Sequence, residues 1–353
     1  VLPIADTTSL GSTPWREVFT DPFLQELIDS ALVKNTDLRS AALTVTQAKA
    51  ILSTARLAFV PAFSFSPNGT LRSWDNGKAS QTYSLPVEAS WQIDLFGSLT
   101  NAKRAQQATL LQSKDYQRAV QCGLVAGVAN CYYTLLMLDK QLQLTEEMVD
   151  LTKKTYELMQ KQKTLAQTDE SAVMSAKANY YSVRSSVAEI KRQIRETENS
   201  LSLLLCEAPH SIKRSTFDQQ RLPEKFSVGI PVQLLANRPD VHANEMALAN
   251  CFYNVNKARS AFYPSINVGG SVAWTNSSGS GIVNPGKMLA SAVGSLTQPI
   301  FANGRLVAQL KVAKAQQEQA LLAWQQSVLQ AGSEVSNALV LYQTSAERSA
   351  LEQ

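Results

Sequence analysis

Residues able to do acid–base, metal or nucleophilic chemistry are sparse in this 353-residue chain. Its two histidines read as surface or capping residues: His210 follows a proline after a helical run, and His242 sits on a polar helical turn. The four cysteines (Cys122, Cys131, Cys206, Cys251) show no C-x-x-C spacing and have no neighbouring histidine, which argues against zinc. Their simplest reading is as small buried apolar side chains. No glycine-rich phosphate loop follows a strand and no nucleophile motif stands in context, so an enzyme is the least favoured class and no cofactor is implied. The remaining chemistry is partition between water and an apolar phase. Leu85, Val87, Ala89, Trp91 and Ile93 alternate with Pro86, Glu88, Ser90, Gln92 and Asp94. That is a two-faced strand of about ten residues, the length and pattern of a tilted membrane-spanning β-strand. Ile266, Val268, Gly270, Val272 and Trp274 repeat the alternation. Taken alone, such a hairpin reads more readily as half of a soluble, half-buried sheet.

The elements that must position these runs occur twice. Arg56, Ala58, Phe59 and Pro61 map onto Arg259, Ala261, Phe262 and Pro264, and Asp94-Leu95-Phe96-Gly97 has its counterpart around Phe301. Self-similarity at this long spacing suits a duplicated unit rather than a solenoid. The first repeat is 1–206, with an extended N-terminal arm carrying Trp15 and Phe19, short helices, a β-hairpin at about 62–94 turning near Asp75-Asn76-Gly77, and a long helical hairpin at about 100–206. A linker follows at 207–231. The second repeat, 232–353, has a short helix at Val232–Ala236, a helix opened by Arg238-Pro239-Asp240-Val241, a β-hairpin at about 265–300 with its returning strand at 289–300, and a long helix from about Arg305.

Leu24, Leu27, Ile28, Ala31 and Leu32 make one helical face, and Thr36-Asp37 opens the next helix. No proline falls between Pro86 and Pro209, so residues 100–160 form one unbroken helix, roughly 90 Å long. It breaks at Lys163–Thr168, and Thr168 and Asp169 are N-cap candidates for the returning helix. Leu, Met, Ile and Val at heptad-like spacing predict coiled-coil-like packing. Gln121–Leu138 is free of charge and passes for a transmembrane segment by length, but the matching part of the second repeat contains Glu334 and several glutamines, which argues against insertion. The repeat places the counterpart of residues from about 146 to 208 beyond Gln353.

Composition narrows the class further. The chain is 44% hydrophobic and 7% aromatic, with a mean hydropathy of -0.13, which excludes a bundle of membrane helices. Its net charge of +4 comes from 33 basic and 29 acidic residues. They are interspersed, without the clustered basic footprint of a nucleic-acid binder.

Four motifs in this order resemble the TolC-like outer-membrane factor family, in particular its efflux lipoprotein subgroup in tripartite RND-type systems. They are Trp91-Gln92-Ile93-Asp94-Leu95-Phe96-Gly97, Arg238-Pro239-Asp240-Val241, Ala258-Arg259-Ser260-Ala261-Phe262-Tyr263-Pro264-Ser265 and Gln298-Pro299-Ile300-Phe301-Ala302-Asn303-Gly304-Arg305. The resemblance implies a mainly α protein with a membrane β-barrel portion. A homotrimer would close one 12-stranded barrel in the outer membrane, continued by an α-helical periplasmic tunnel. Leu85, Val87, Trp91, Ile93, Ile266, Val268, Val272 and Trp274 would then face lipid. Lys161, Gln162, Lys163, Thr164, Leu165, Ala166 and Gln167 would form the periplasmic tip that meets an adaptor, or else a plain solvated loop. The implied function is passive exit of small molecules such as drugs, with a periplasmic adaptor and an inner-membrane pump as partners. The alternative is a periplasmic adaptor-like coiled-coil scaffold without a channel, which would need a lipoyl-like β-domain beside one hairpin.

Overall fold

The computed structural model describes residues 14–73, 79–220, 238–277 and 282–352. The turn near Asp75-Asn76-Gly77, the helix expected at Val232–Ala236 and much of the linker lie outside them. The elements run α1 (Trp15–Val18), α2 (Pro22–Lys34), α3 (Thr36–Leu57), β1 (Ala62–Phe65), β2 (Asn68–Arg72), β3 (Ser80–Ile93), α4 (Ser98–Thr164) and α5 (Glu170–Leu204). After a 3-10 turn at Phe217–Gln219 come α6 (Pro239–Ser260), β4 (Ser265–Ser277), β5 (Ile282–Thr297) and α7 (Arg305–Glu352). The protein is mostly helical with one small sheet. It divides into two compact units, Val1–Ala42 with Gln117–Leu234, and Leu43–Tyr116 with Leu235–Gln353. Among the described residues the first unit lies within the first repeat and the linker, while the second draws on both repeats.

In the first unit, Leu24, Ile28 and Ala31 of α2 pack with Leu124, Val125, Val128, Ala129, Tyr132, Leu135 and Leu136 of α4 and with Leu201, Leu205 and Ile212. The charge-free stretch of α4 is therefore a core face, and a fully buried leucine there contributes about 1.5–3 kcal/mol. Trp15 and Phe19 pack against this core, but Trp15 lies in a short helix, so the arm is not fully extended.

The segment after α5 is held by polar contacts that its sequence did not suggest. Arg214 grips Asp139 through two nitrogens, at 2.5 and 2.9 Å, and Glu198 through a third at 2.8 Å. The hydrogen bond to Asp139 raises the guanidinium pKa above its ordinary value, against the effect of burial. Nearby, the buried Tyr132 hydroxyl donates to Asp21 at 2.6 Å, Gln220 donates to the same carboxylate at 2.8 Å, and Ser215 also bonds it. Asp21 doubles as the N-cap of α2, accepting from the Phe23 N–H. Burial pushes its carboxyl pKa up, but the hydrogen bonds from Ser215, Tyr132 and Gln220 outweigh it and leave the group below the usual aspartate value.

The α4–α5 turn is a Schellman motif. The Gln167 N–H bonds the Gln162 carbonyl and the Ala166 N–H bonds that of Lys163, both at 2.9 Å. Ala166 takes the left-handed position at φ 56°. Asp169 then caps α5 by accepting from the Ala172 N–H.

In the second unit, α6 and α7 pack together and Arg238 bridges Asp240 and Glu334 at 2.8 and 2.6 Å. Pro239 fills the first turn of α6. Two expectations need correction here. His242 is not simply a surface or capping residue, because its Nδ1 lies 2.5 Å from the buried carboxylate of Asp115. The cysteines are not buried: Cys122 and Cys206 are exposed and Cys131 and Cys251 are half-buried. Cys206 stands at the left-handed position that ends α5, φ 54°, a position set by backbone geometry and not by apolar packing. His210 is exposed, as expected.

Because the Asp21 pKa is depressed in the folded state, its stabilisation is present above the ordinary aspartate range and is lost as pH falls through the folded value. Asp21→Asn, which keeps a capping oxygen, is expected to melt below the parent at neutral pH. The gap should close below pH ~4, followed by circular dichroism; a gap constant with pH would contradict this account. Ala166→Gly is expected to raise stability by about 0.5–1 kcal/mol and Ala166→Val to lower it, because a side chain at positive φ is strained; denaturant midpoints measure both.

Candidate functional site

The pleat decides which strand residues share a face, because successive side chains point to opposite sides. The sheet order is β1-β3-β4-β5, with β2 also paired to β3. The first hairpin's outer strand is therefore broken in two, at Ser66-Pro67. The β3–β4 register sets Leu85 opposite Trp274, Val87 opposite Val272, Trp91 opposite Val268 and Ile93 opposite Ile266. All eight apolar residues chosen from the alternation thus fall on one face, as four cross-strand pairs. Trp274 is 51% and Val87 50% exposed, so among the described residues this face has no cover.

The same face extends further than the alternation indicated. Phe65 pairs with Val87 and Phe63 with Ala89. Leu296 pairs with Ile266, and Met288 with Trp274. The Phe-Ser-Phe spacing was a readable signal for β1, interrupted by Pro67. The outer strand β5 begins at Ile282, seven residues earlier than expected, and includes Pro285. A proline is tolerated on an edge strand because no ladder bond is lost on the free side, and the register slips nearby between Thr275 and Ser277.

The opposite face is mainly polar on β3 and β4, while on β5 it also carries Leu289 and Val293, opposite Ala273 and Gly269. Ser84, Glu88, Ser90 and Gln92 of β3 stand beside Asn267, Ser271 and Thr275 of β4. The Ser271 and Ser291 hydroxyls are 2.7 Å apart across β4 and β5. Asn276 extends the β3–β4 ladder with its side chain, accepting from the Tyr83 N–H at 2.7 Å and donating to the Gln81 carbonyl at 3.0 Å.

The strand-to-helix joint explains the Asp94-Leu95-Phe96-Gly97 motif. Asp94 accepts from the N–H groups of Leu99 and Thr100 and from the Thr100 hydroxyl, at 3.0, 2.8 and 2.7 Å. Burial raises its pKa, but these bonds outweigh it and hold the carboxyl below its usual range. Gly97 turns the chain at φ 74°, and Gly304 does the same before α7 at φ 75°. Phe96 stacks on Tyr263 with ring centroids 4.9 Å apart, and the Trp91 indole donates to the Phe59 carbonyl at 3.0 Å.

At the helical tip, Lys161, Gln162, Lys163 and Thr164 form the last turn of α4, and Leu165, Ala166 and Gln167 the turn itself. Leu165 is 67% exposed. Lys163 pairs with Glu170 across the turn, and Tyr156 stacks on Tyr180 just behind it, their planes 6° apart.

The chain matches the family model described as outer membrane efflux protein over residues 27–207 and 230–353. It is 30% identical over 333 residues to the cation efflux system protein CusC of Escherichia coli O6:H1, covering 94% of this chain and 72% of that protein. It is 28% identical over 340 residues to the probable outer membrane lipoprotein SilC of Salmonella typhimurium, covering 94% and 73%. A solved structure of CusC, described in terms of folding and transmembrane channel formation, superposes with a TM-score of 0.85 at 28% identity, covering 98% of this chain and 82% of that one. These relatives are outer-membrane efflux channels, and the adaptor-like alternative finds no support among them. The chain belongs to the outer membrane efflux protein family, and its place is the outer membrane, with extension into the periplasm.

Proposed function

We propose that three copies of this chain close one 12-stranded barrel in the outer membrane and that their helices line a water-filled periplasmic conduit. Drugs and other small molecules leave through it passively, delivered by an inner-membrane pump through a periplasmic adaptor. In this reading Leu85, Val87, Trp91, Ile93, Ile266, Val268, Val272 and Trp274 face lipid and the polar face lines the lumen. The tip residues Lys161–Gln167 meet the adaptor. One observation carries the reading: among the described residues, an uncovered apolar face lies on a sheet whose edges, β1 with β2 and β5, are both unpaired. Strands in hydrocarbon need every backbone group paired, and only closure with further strands provides that.

The two faces respond oppositely to charge. Val87→Arg is expected to cost about 2–4 kcal/mol in the membrane and to reduce trimer recovery from outer-membrane extracts. Ser90→Arg, three residues along on the polar face, is expected to leave trimer recovery unchanged. Native mass in mild detergent reads both. Equal tolerance of the two substitutions, or a parent that is monomeric and needs no detergent, would remove the barrel.

A further inference from the structure

We propose that Glu88 makes the barrel lumen favour cations over anions, as the one carboxylate in the five strands. The inference rests on the barrel reading above and adds a selectivity determinant to it. Glu88 lies in mid-strand on the polar face, opposite Ser64 on one side and Ser271 on the other, and Ser271 is opposite Ser291. It is exposed and, among the described residues, takes part in no ion pair or hydrogen bond. Its row is otherwise hydroxyl oxygens, which hydrate a passing cation and offer nothing to neutralise a carboxylate.

The basic residues of the strands stand elsewhere. Arg72 is at the register position of Ser80, and Lys287 at that of Thr275, which in turn pairs with Ser84. At about 3.3 Å per residue, those rows lie roughly 26 Å and 13 Å along the strand from Glu88. Both distances exceed the Debye length of about 8 Å at physiological salt, so the local field at Glu88 is its own. Threefold symmetry sets three such carboxylates at one height around a water-filled passage. Rings of acidic side chains select for cations in channels.

The test is the reversal potential of the detergent-purified protein in planar lipid bilayers between unequal KCl solutions. The parent is expected to pass K+ in preference to Cl− at about 0.15 M salt, and less so at about 1 M, where the Debye length has fallen from about 8 to about 3 Å. Glu88→Gln is expected to lower the K+/Cl− permeability ratio by about twofold or more near 0.15 M salt, where the Debye length is about 8 Å, with the conductance in about 1 M KCl retained, and Glu88→Lys to invert the preference. Native mass verifies that both variants assemble as the parent does. Parent-like ratios in both variants, with channels that still conduct, would overturn the role of Glu88 and leave the barrel standing. A parent that forms no conducting trimer would overturn the barrel, and this inference with it.

Discussion

An edge strand carries backbone N–H and C=O groups that need partners, and the sheet of this protein has two such edges. In water that condition is an aggregation hazard. In hydrocarbon it is prohibitive, since each unmet group costs several kcal/mol. Among the described residues, the short β2 with Arg72 and the Pro285 and Lys287 of β5 protect these edges only in part. The exposed apolar face, the polar opposite face and the glycine-turned joints into α4 and α7 become mutually consistent once the edges are completed by other copies. In the proposed barrel the constraint would act first on assembly and only through assembly on transport.

The first unit meets its own constraint differently. The helix α4 has mixed composition, and its stretch free of charge, Gln121–Leu138, supplies its side of this unit's core. The core ends in polar groups that are fully engaged: Tyr132 and Asp21 with Ser215 and Gln220, and Arg214 with Asp139 and Glu198. Leaving any one of these partners unmet costs about 1–3 kcal/mol. The segment after α5 is thus fixed in place by chemistry and not by regular secondary structure.

What could be read from the sequence was what depends on near neighbours. Strand parity, the unbroken length of α4, the cap at Asp169 and the first-turn proline of α6 are all local signals, and each has its counterpart in the structure. What escaped depends on partners distant in the chain. Nothing near Arg214 announces Asp139, 75 residues earlier, and nothing near His242 announces Asp115. The cysteines escaped because residue type predicts average burial, whereas Cys206 is placed by a helix terminus. Phe63 and Phe65 were missed on the apolar face because Pro67 splits their strand and leaves their spacing as a short signal of only two apolar positions.

The register between β3 and β4 has a consequence for the order of folding. Tyr83 and Asn276, joined by a hydrogen bond in that ladder, are 193 residues apart, while the partners in the β4–β5 hairpin include Ser271 and Ser291, only 20 apart. Loop-closure entropy rises with the length closed, so hairpin pairing precedes the seam between the repeats. On a ribosome or at a translocon, β3 must wait, edge exposed, through the whole of α4, α5 and α6 for its partner to emerge. The duplicated architecture that makes half a sheet from each repeat also gives the joining of those halves the longest loop to close among the strand pairings.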